Sequence, residues 1–569
     1  MNKLMQRIRE SVIGEKLPIK TPFGAKPLIY ADYTASGRSL TFVEDWLRDQ
    51  VLPYYANTHT ETSFTGAYTT ALREKARQTI RSAVNGRDDD LVLFCGSGAT
   101  AAVQKLIDML NLRIPQDLDR RYQLNDQIPA SERPVVFVGP YEHHSNELPW
   151  RETIAEVVAI PLDAVGAIDS RYLEAKLKQY AERPLKIGSF SAASNVTGVK
   201  TDTDLVSTLL HEHGAFAFWD YAAAAPYLRI DMQGTSDDLK DCRKDAVFIS
   251  PHKFVGGPGT PGVLVVNKHL AQNTVPSVPG GGTVSYVTPT RHRYSTDPQR
   301  REEGGTPSII ESIRAALVFA LQQEVGLDQI EAREHQLATE VLQRWAAHPN
   351  IDILGPTNRS RLPIFSFRIR RNEKDLHYGF VVALLNDLFG IQARGGCSCA
   401  GPYAHALLEM SIDYSEKLET LFLEGETSLR PGWVRLNFNY FLDRSTVNYL
   451  LKAVELIADH GWRLLPYYRF DEHSGAWRYG SAKPDLTCPQ DPFLAMVEGS
   501  EAQELGSGAM CGVEWDLSQL LVEAESTLLE YGADHTRSSL QLSEEAKALC
   551  WFILPQDVGR ESDLAKQGV

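Results

Sequence analysis

Residues 246–266, "AVFISPHKFVGGPGTPGVLVV", decide the fold. The runs "AVFI" and "GVLVV" are too short for helices and too uniformly apolar to have one wet face, so both read as strands covered on both sides. Between them lies a loop rich in Gly and Pro. Lys253 stands in it beside His252, just past the end of the first strand, where desolvation lowers an ammonium pKa towards that of a nucleophile. The pattern repeats outward along the chain. "LVLFCG" precedes the helical "ATAAVQKLIDML", and "AEVVAIPL" precedes "SRYLEAKLKQY"; "PVVFVG", "KIGSFSAAS" and "AFAFWDYA" supply further strands. Short apolar strands separated by helices predict an α/β domain, a mostly parallel sheet with helices on both faces.

Ligands of such sheets collect at the carboxyl ends of the strands, so the residues there carry the functional reading. After "LVLF", Ser97 and Gly98 open a helix whose N-terminus suits a phosphate. After "PVVFVG" come His143, His144 and Asn146; adjacent histidines lack the usual zinc spacings, and an imidazole can instead lie flat on a planar cofactor. After "AFAFW" comes Asp220, a carboxylate that needs a cationic partner at a buried strand end. A phosphate cradle, a stacking ring, a carboxylate for a pyridine nitrogen and a lysine that forms a Schiff base together describe a site for pyridoxal 5'-phosphate.

Composition is that of a soluble globular protein: 43% hydrophobic, 23% charged, with a net charge of -15. That charge argues against nucleic acid or anionic membranes as partners, and no membrane span is visible. The start, "MNKLMQRIRESVIGEKL", lacks the apolar core of a secretory signal, which predicts a cytoplasmic protein. Seven cysteines do not form a disulfide framework and are expected as free thiols. Residues 466–569 hold 18 acidic and 7 basic side chains and supply -11 of the net charge. In this acidic extension "HSGAWRYGSAKPDLTCPQDP" reads as a linker or irregular wrap. "DLSQLLVEAESTLLEYG" then places Leu517, Leu520, Leu521, Ala524, Leu528 and Tyr531 at helical spacing behind an Asp516 cap, a face that needs a partner surface.

The loop "QARGGCSCAGPY", residues 392–403, sets Cys397 and Cys399 among small residues, where a thiol is accessible. Metal ligation is the least favoured reading, because two sulfurs so close need ligands the loop does not supply, and no metal is expected.

These motifs resemble the class V aminotransferase family of fold-type I pyridoxal phosphate enzymes, in its cysteine desulfurase and selenocysteine lyase branch. "YADYTASG" is similar to the family's opening motif, "ANTHTET" to its substrate-side loop and "EHHSNELPW" to its stacking-histidine motif. "ASNVTGV" matches its asparagine motif, "ISPHKFVGGPGTPGVLVV" its lysine motif, "EEGGTPS" a segment that reaches the neighbouring subunit, and "ARGGCSCAGP" the sulfur-accepting loop. "GWVRLNFNYF" is similar to its late arginine motif. The resemblance implies that Lys253 carries the cofactor, His143 stacks on it, Asp220 pairs with its ring nitrogen and Asn195 lies at its ring hydroxyl. Ser97, Gly98, Ser250, His252 and, across a homodimer interface, Thr306 would hold the phosphate. Asn57, His59, Arg394 and Arg435 would bind the amino-acid substrate, and Cys399 would accept sulfur. Cys397 is extra, as in molybdenum cofactor sulfurases.

It also implies a large cofactor-binding domain over residues 28–320 and a smaller α/β domain over 321–465, with residues 1–27 packed on the latter. Two departures leave the substrate open: Ala223 stands where the family has a glutamine, and Thr60 where many desulfurases have arginine. The function expected is that of a cysteine desulfurase-like enzyme that yields alanine and a Cys399 persulfide, with a sulfur-acceptor protein as a possible partner. A selenocysteine lyase, and a transaminase or β-eliminating lyase that does not use the thiol, stand as alternatives.

Overall fold

Seven strands form the central sheet: β1 (Asp90–Cys95), β2 (Val135–Val138), β3 (Glu156–Ala159), β4 (Lys186–Ser191), β5 (Phe216–Asp220), β6 (Ala246–Ile249) and β7 (Gly262–Asn267). Their spatial order is β1-β7-β6-β5-β4-β2-β3. All neighbours from β6 to β3 pair in parallel, while β7 runs antiparallel to both β1 and β6. The computed structural model describes residues 3–58, 60–234, 240–480, 514–530 and 538–558.

Period-two alternation explains the continuous apolar runs. Val92 and Phe94 of β1 enter one buried cluster, and Leu91 and Leu93 enter another on the opposite face. Helix α1 (Gly98–Met109) covers the second face with Ala102, Val103 and Leu106, all fully buried. Strands β1, β2, β4, β5 and β6 end at one edge, and β7 begins there, its Gly262 N–H donating to Gly96 O at 2.9 Å. The residues that follow each strand are therefore neighbours. Helix α2 (His144–Arg151) starts at this edge.

A second sheet joins β8 (Ile351–Ile353), β9 (Ile364–Arg371), β10 (Arg394–Gly396) and β11 (Trp433–Asn437) in the order β8-β9-β11-β10. β10 and β11 are antiparallel with Arg394 directly opposite Arg435. Helices α3 (Tyr378–Phe389), α4 (Gly401–Leu407) and α5 (Arg444–His460) accompany this sheet. The amino-terminal segment contacts the same region: Arg9 Nε meets Asp443 at 3.2 Å, and Thr21 Oγ1 donates to Asp387 O at 2.7 Å.

Within the acidic extension, residues 466–480 are ordered where a linker or irregular wrap is expected, and residues 481–492 of that stretch lie outside the described residues. The extension opens with a hairpin, Tyr468–Asp471 paired with Ala476–Tyr479, because Trp477 is buried and donates its indole N–H to His377 Nδ1 at 2.9 Å. Helix α6 (Leu517–Glu530) is capped by Asp516, which accepts from Ser518 N and Gln519 N. It packs on α5 with Leu517, Leu520, Ala524 and Leu528 buried and Leu521 half-buried. Tyr531 lies outside the described residues. Further on, Trp551 stacks nearly parallel to Tyr378 at 6.1 Å and donates to Leu429 O at 3.0 Å. Tyr378 in turn fills the space beside Gly395, where a Cβ would lie 2.7 Å from its ring. The extension thus props β10 from behind.

Leu528 is fully buried, whereas Val522 on the same helix is 59% exposed. Leu528→Ala should lower unfolding stability by about 2–5 kcal/mol, while Val522→Ala should stay within about 0.5 kcal/mol. Denaturant titration of the two variants checks this; equal effects would mean that α6 does not dock.

Candidate active site

A cavity of about 250 Å³ opens where the strand ends of the central sheet meet the second sheet. It brings together Ser97, Gly98, His143, Asn195, Asp220, Ser250, His252, Lys253, Arg394, Cys399 and Arg435, from segments spread over more than half the chain. Asn57 and Thr306 lie outside it; both are exposed, and Asn57 Nδ2 donates to Thr306 Oγ1 at 3.3 Å. His59 lies outside the described residues.

Lys253 follows β6 in a single 3₁₀ turn begun by Pro251, with its backbone N–H on Ser250 O at 3.0 Å. Burial pushes its ammonium down to about 8, opposed by the negative charge of Asp220 and reinforced by Arg435. Asp220 ends β5, and burial raises its pKa although Ala222 N–H donates to Oδ1 at 2.7 Å and Lys253 lies near. His143 caps α2, with Nδ1 accepting the Ser145 N–H at 3.1 Å. Burial, then the charges of Lys253, His144 and Arg435, hold the His143 ring down to about 3, so it is neutral with its proton on Nε2. Burial also lowers His252 to about 4.

Beneath His143 lies a polar network that sequence reading did not reveal. Glu142 accepts from Ser191 N at 2.9 Å, Ser191 Oγ at 2.6 Å and Asn146 Nδ2 at 2.7 Å. Asn146, placed at the strand end by its motif, is fully buried in this network and not in the cavity. Burial pushes Glu142 up to about 7 against these bonds, with Asp220 adding to the rise.

The two arginines share one carboxylate. Asp32 takes Arg394 Nε at 2.9 Å on Oδ2 and Arg435 Nη2 at 3.0 Å on Oδ1. Arg435 is 5% exposed and Arg394 54%, so one is a fixed wall and the other a wet rim. Asp32 went unread as a site residue although it stands inside "YADYTASG", just past a short strand that pairs with residues 391–392.

Cys399 is exposed and lines the cavity; Cys397 is half-buried and does not. Asn195 Nδ2 donates to Ser398 O at 2.9 Å, so this side chain ties the cysteine loop as well as facing the cavity. Among the described residues no cluster of His, Cys, Asp or Glu is arranged to hold a metal.

Three observations fit a phosphorylated pyridine aldehyde. Gly98 has φ +57°, and a Cβ there would lie 2.9 Å from Ser250 Oγ and 3.5 Å from His252 Nε2, so glycine keeps an anion cradle open at the start of α1. Asp220 reaches the cavity as a buried carboxylate that asks for a cationic N–H. Lys253 presents an amine of lowered pKa between the two.

Residues 29–412 match the class V aminotransferase family. The chain belongs to that family. Enzymes of this family generally depend on pyridoxal phosphate. Among curated proteins it is 28% identical to a probable cysteine desulfurase of Halalkalibacterium halodurans over 66% of this chain and 85% of that one. It is 29% identical to one of Staphylococcus aureus over 66% and 84%. The solved cysteine desulfurase of Thermococcus onnurineus superposes with a TM-score of 0.60 at 23% identity, covering 76% of this chain and 95% of that one. The architecture is that of fold-type I pyridoxal phosphate enzymes, with the acidic extension added.

The lowered Lys253 pKa has a direct readout in cofactor-free protein. With its pKa lowered to about 8 by burial, the Lys253 amine should become reactive at lower pH than an exposed lysine. Reductive methylation followed by peptide mass spectrometry should give a midpoint near 8 for Lys253 and near 10.4 for exposed lysines. A Lys253 midpoint at the exposed value would contradict its desolvation.

Proposed function

We propose that this chain is a pyridoxal-phosphate-dependent cysteine desulfurase, acting on L-cysteine to give L-alanine and a persulfide on Cys399. The observation that carries the reading is that Cys399 lines the same cavity as Lys253, Asp220, His143 and the two arginines. The names of the relatives support it.

Lys253 would carry the cofactor, with Asp220 on its ring nitrogen, the neutral His143 ring against its face, and Ser97, Gly98, Ser250 and His252 around its phosphate. When bound, the cofactor supplies an electron sink for the charge freed at the substrate carbons. Arg435 and Arg394 bind the substrate carboxylate, the first as a fixed fork and the second by exchange at its wet edge. Lys253, once the substrate amine has displaced it from the cofactor, would take the Cα proton. The Cys399 thiolate would attack the substrate sulfur; an S–S bond forms as the Cβ–S bond breaks, Cβ gains a proton to become the methyl of alanine, and Lys253 returns a proton to Cα. Ala223 lines the cavity where the family has a glutamine, so one polar contact to the cofactor hydroxyl would be missing.

Two further features belong to this reading. Tyr54, Tyr55 and Phe64 are exposed on the same side as the Asn57–Thr306 pair, an aromatic face suited to a second copy, which would place Thr306 at the partner's phosphate site. The described cysteines are unpaired, which suits a reducing cytoplasm, and the persulfide of this reading would pass to an acceptor protein.

Lys253→Ala should abolish the borohydride-reducible link to the cofactor. Cys399→Ser should keep cofactor absorbance, form no protein-bound persulfide, and make alanine from cysteine slower by roughly 100-fold or more. Unchanged alanine and sulfide from Cys399→Ser would assign simple β-elimination, and protein that takes up no cofactor would overturn the reading. Parallel assays with selenocysteine test the lyase alternative.

A further inference from the structure

We infer that His144 is the positioning residue that presents Cys399 to the cavity; the inference rests on the desulfurase reading and gives its nucleophile a support. The backbone N–H of His144, the first of helix α2, donates to Cys399 O at 2.8 Å. Its ring Nε2 accepts the Gly401 N–H, the first of helix α4, at 2.9 Å. One residue of the central sheet's edge therefore grips the cysteine's own carbonyl and the chain two residues after it, and in doing so satisfies an otherwise orphaned N–H at the start of each of two helices. Gly401 leaves the room: a Cβ there would stand 3.2 Å from Nε2.

The grip is needed because the loop is held in an unfavourable shape. Ser398 and Cys399 both have φ +55°, a conformation non-glycine residues avoid, and two in succession relax unless tied. Asn195 Nδ2 on Ser398 O and Trp433 Nε1 on Ser398 Oγ at 3.2 Å hold the residue before the cysteine. His144 holds the Cys399 carbonyl and the Gly401 N–H, while Ala400 N–H donates to Cys397 O at 3.2 Å within the turn. His143 and Ser145 line the cavity, and His144 does not. Its side chain can thus be changed without touching cofactor or substrate, which separates positioning from binding.

The acceptor is Nε2, so the side chain required is one that carries an acceptor at that reach. Glutamine places its oxygen at about the distance of Nε2, and asparagine at that of Nδ1. In the full-length, cofactor-loaded protein, His144→Ala and His144→Asn should keep cofactor absorbance and a KM for cysteine within about twofold, with kcat down about 10- to 100-fold. His144→Gln should recover to within a few-fold of the parent. In cofactor-free protein, iodoacetamide alkylation read by peptide mass spectrometry should favour Cys399 over Cys397. That ratio should fall several-fold in His144→Asn and be restored in His144→Gln.

Parent-like kcat and alkylation ratio in His144→Ala, or equal behaviour of His144→Gln and His144→Asn, would overturn the inference. Should His144→Ala fail to fold, the Gln and Asn pair decides it. A parent enzyme that forms no persulfide at all would instead refute the desulfurase reading, and the alkylation ratio would still judge His144.

Discussion

The carboxylate of Asp32 is the point on which the site's geometry depends. It joins three parts of the chain that are remote in sequence: its own segment, paired with residues 391–392; β10 through Arg394; and β11 through Arg435. Arg435 adds a fourth by donating from Nη1 to Asn195 O at 3.1 Å, which reaches back to the central sheet. Burial lowers the Arg435 pKa and the Asp32 charge opposes that. Loss of Asp32 would leave a guanidinium buried and uncompensated, a much larger penalty than loss of a surface pair. The pair is therefore better understood as holding two sheets in register than as net stabilisation.

That arrangement also divides the labour between the arginines. Under the proposed function a substrate carboxylate would compete with Asp32 for the same donors, more easily at the exposed Arg394 than at the enclosed Arg435. Opposite charges therefore meet at the cavity, Asp220 with Lys253 inside it and Asp32 behind the buried Arg435 and the exposed Arg394, each lowering the cost of its neighbour. Glu142 is the exception: a third carboxylate whose partners are neutral donors, which is why burial pushes it up to about 7 while it still accepts three hydrogen bonds.

Much of this was legible in the sequence. Lys253, Asp220, His143 and Ser97 follow strands whose apolar runs mark them, and a parallel sheet brings such positions to one edge whatever the loop lengths between them. What was not legible depends on contacts without a local signature. Asp32 follows only a two-residue strand, Ile29–Tyr30, and its meaning comes from partners more than 360 residues away. Asn195 lines the cavity, where its motif puts it, but the bond from its Nδ2 to Ser398 O depends on how the second sheet sits on the first. In the acidic tail the helix and its buried face follow from spacing, whereas the hairpin around Trp477 does not, because its flanking Gly and Ser read as linker and only burial of the indole reveals a strand.

The described part of the extension bears on the site without lining it: among the described residues, none beyond Arg435 lines the cavity. It acts from the opposite side: Trp551 lies on Tyr378, and Tyr378 lies against Gly395 in the strand that leads into the cysteine loop. The segment from Arg394 to Gly401 is thereby clamped between the edge of the central sheet, through His144 and Asn195, and an aromatic stack that includes a residue from beyond the family match. A loop fixed on both faces spends little entropy in reaching its reactive geometry, which is what two consecutive left-handed residues around an exposed thiol require.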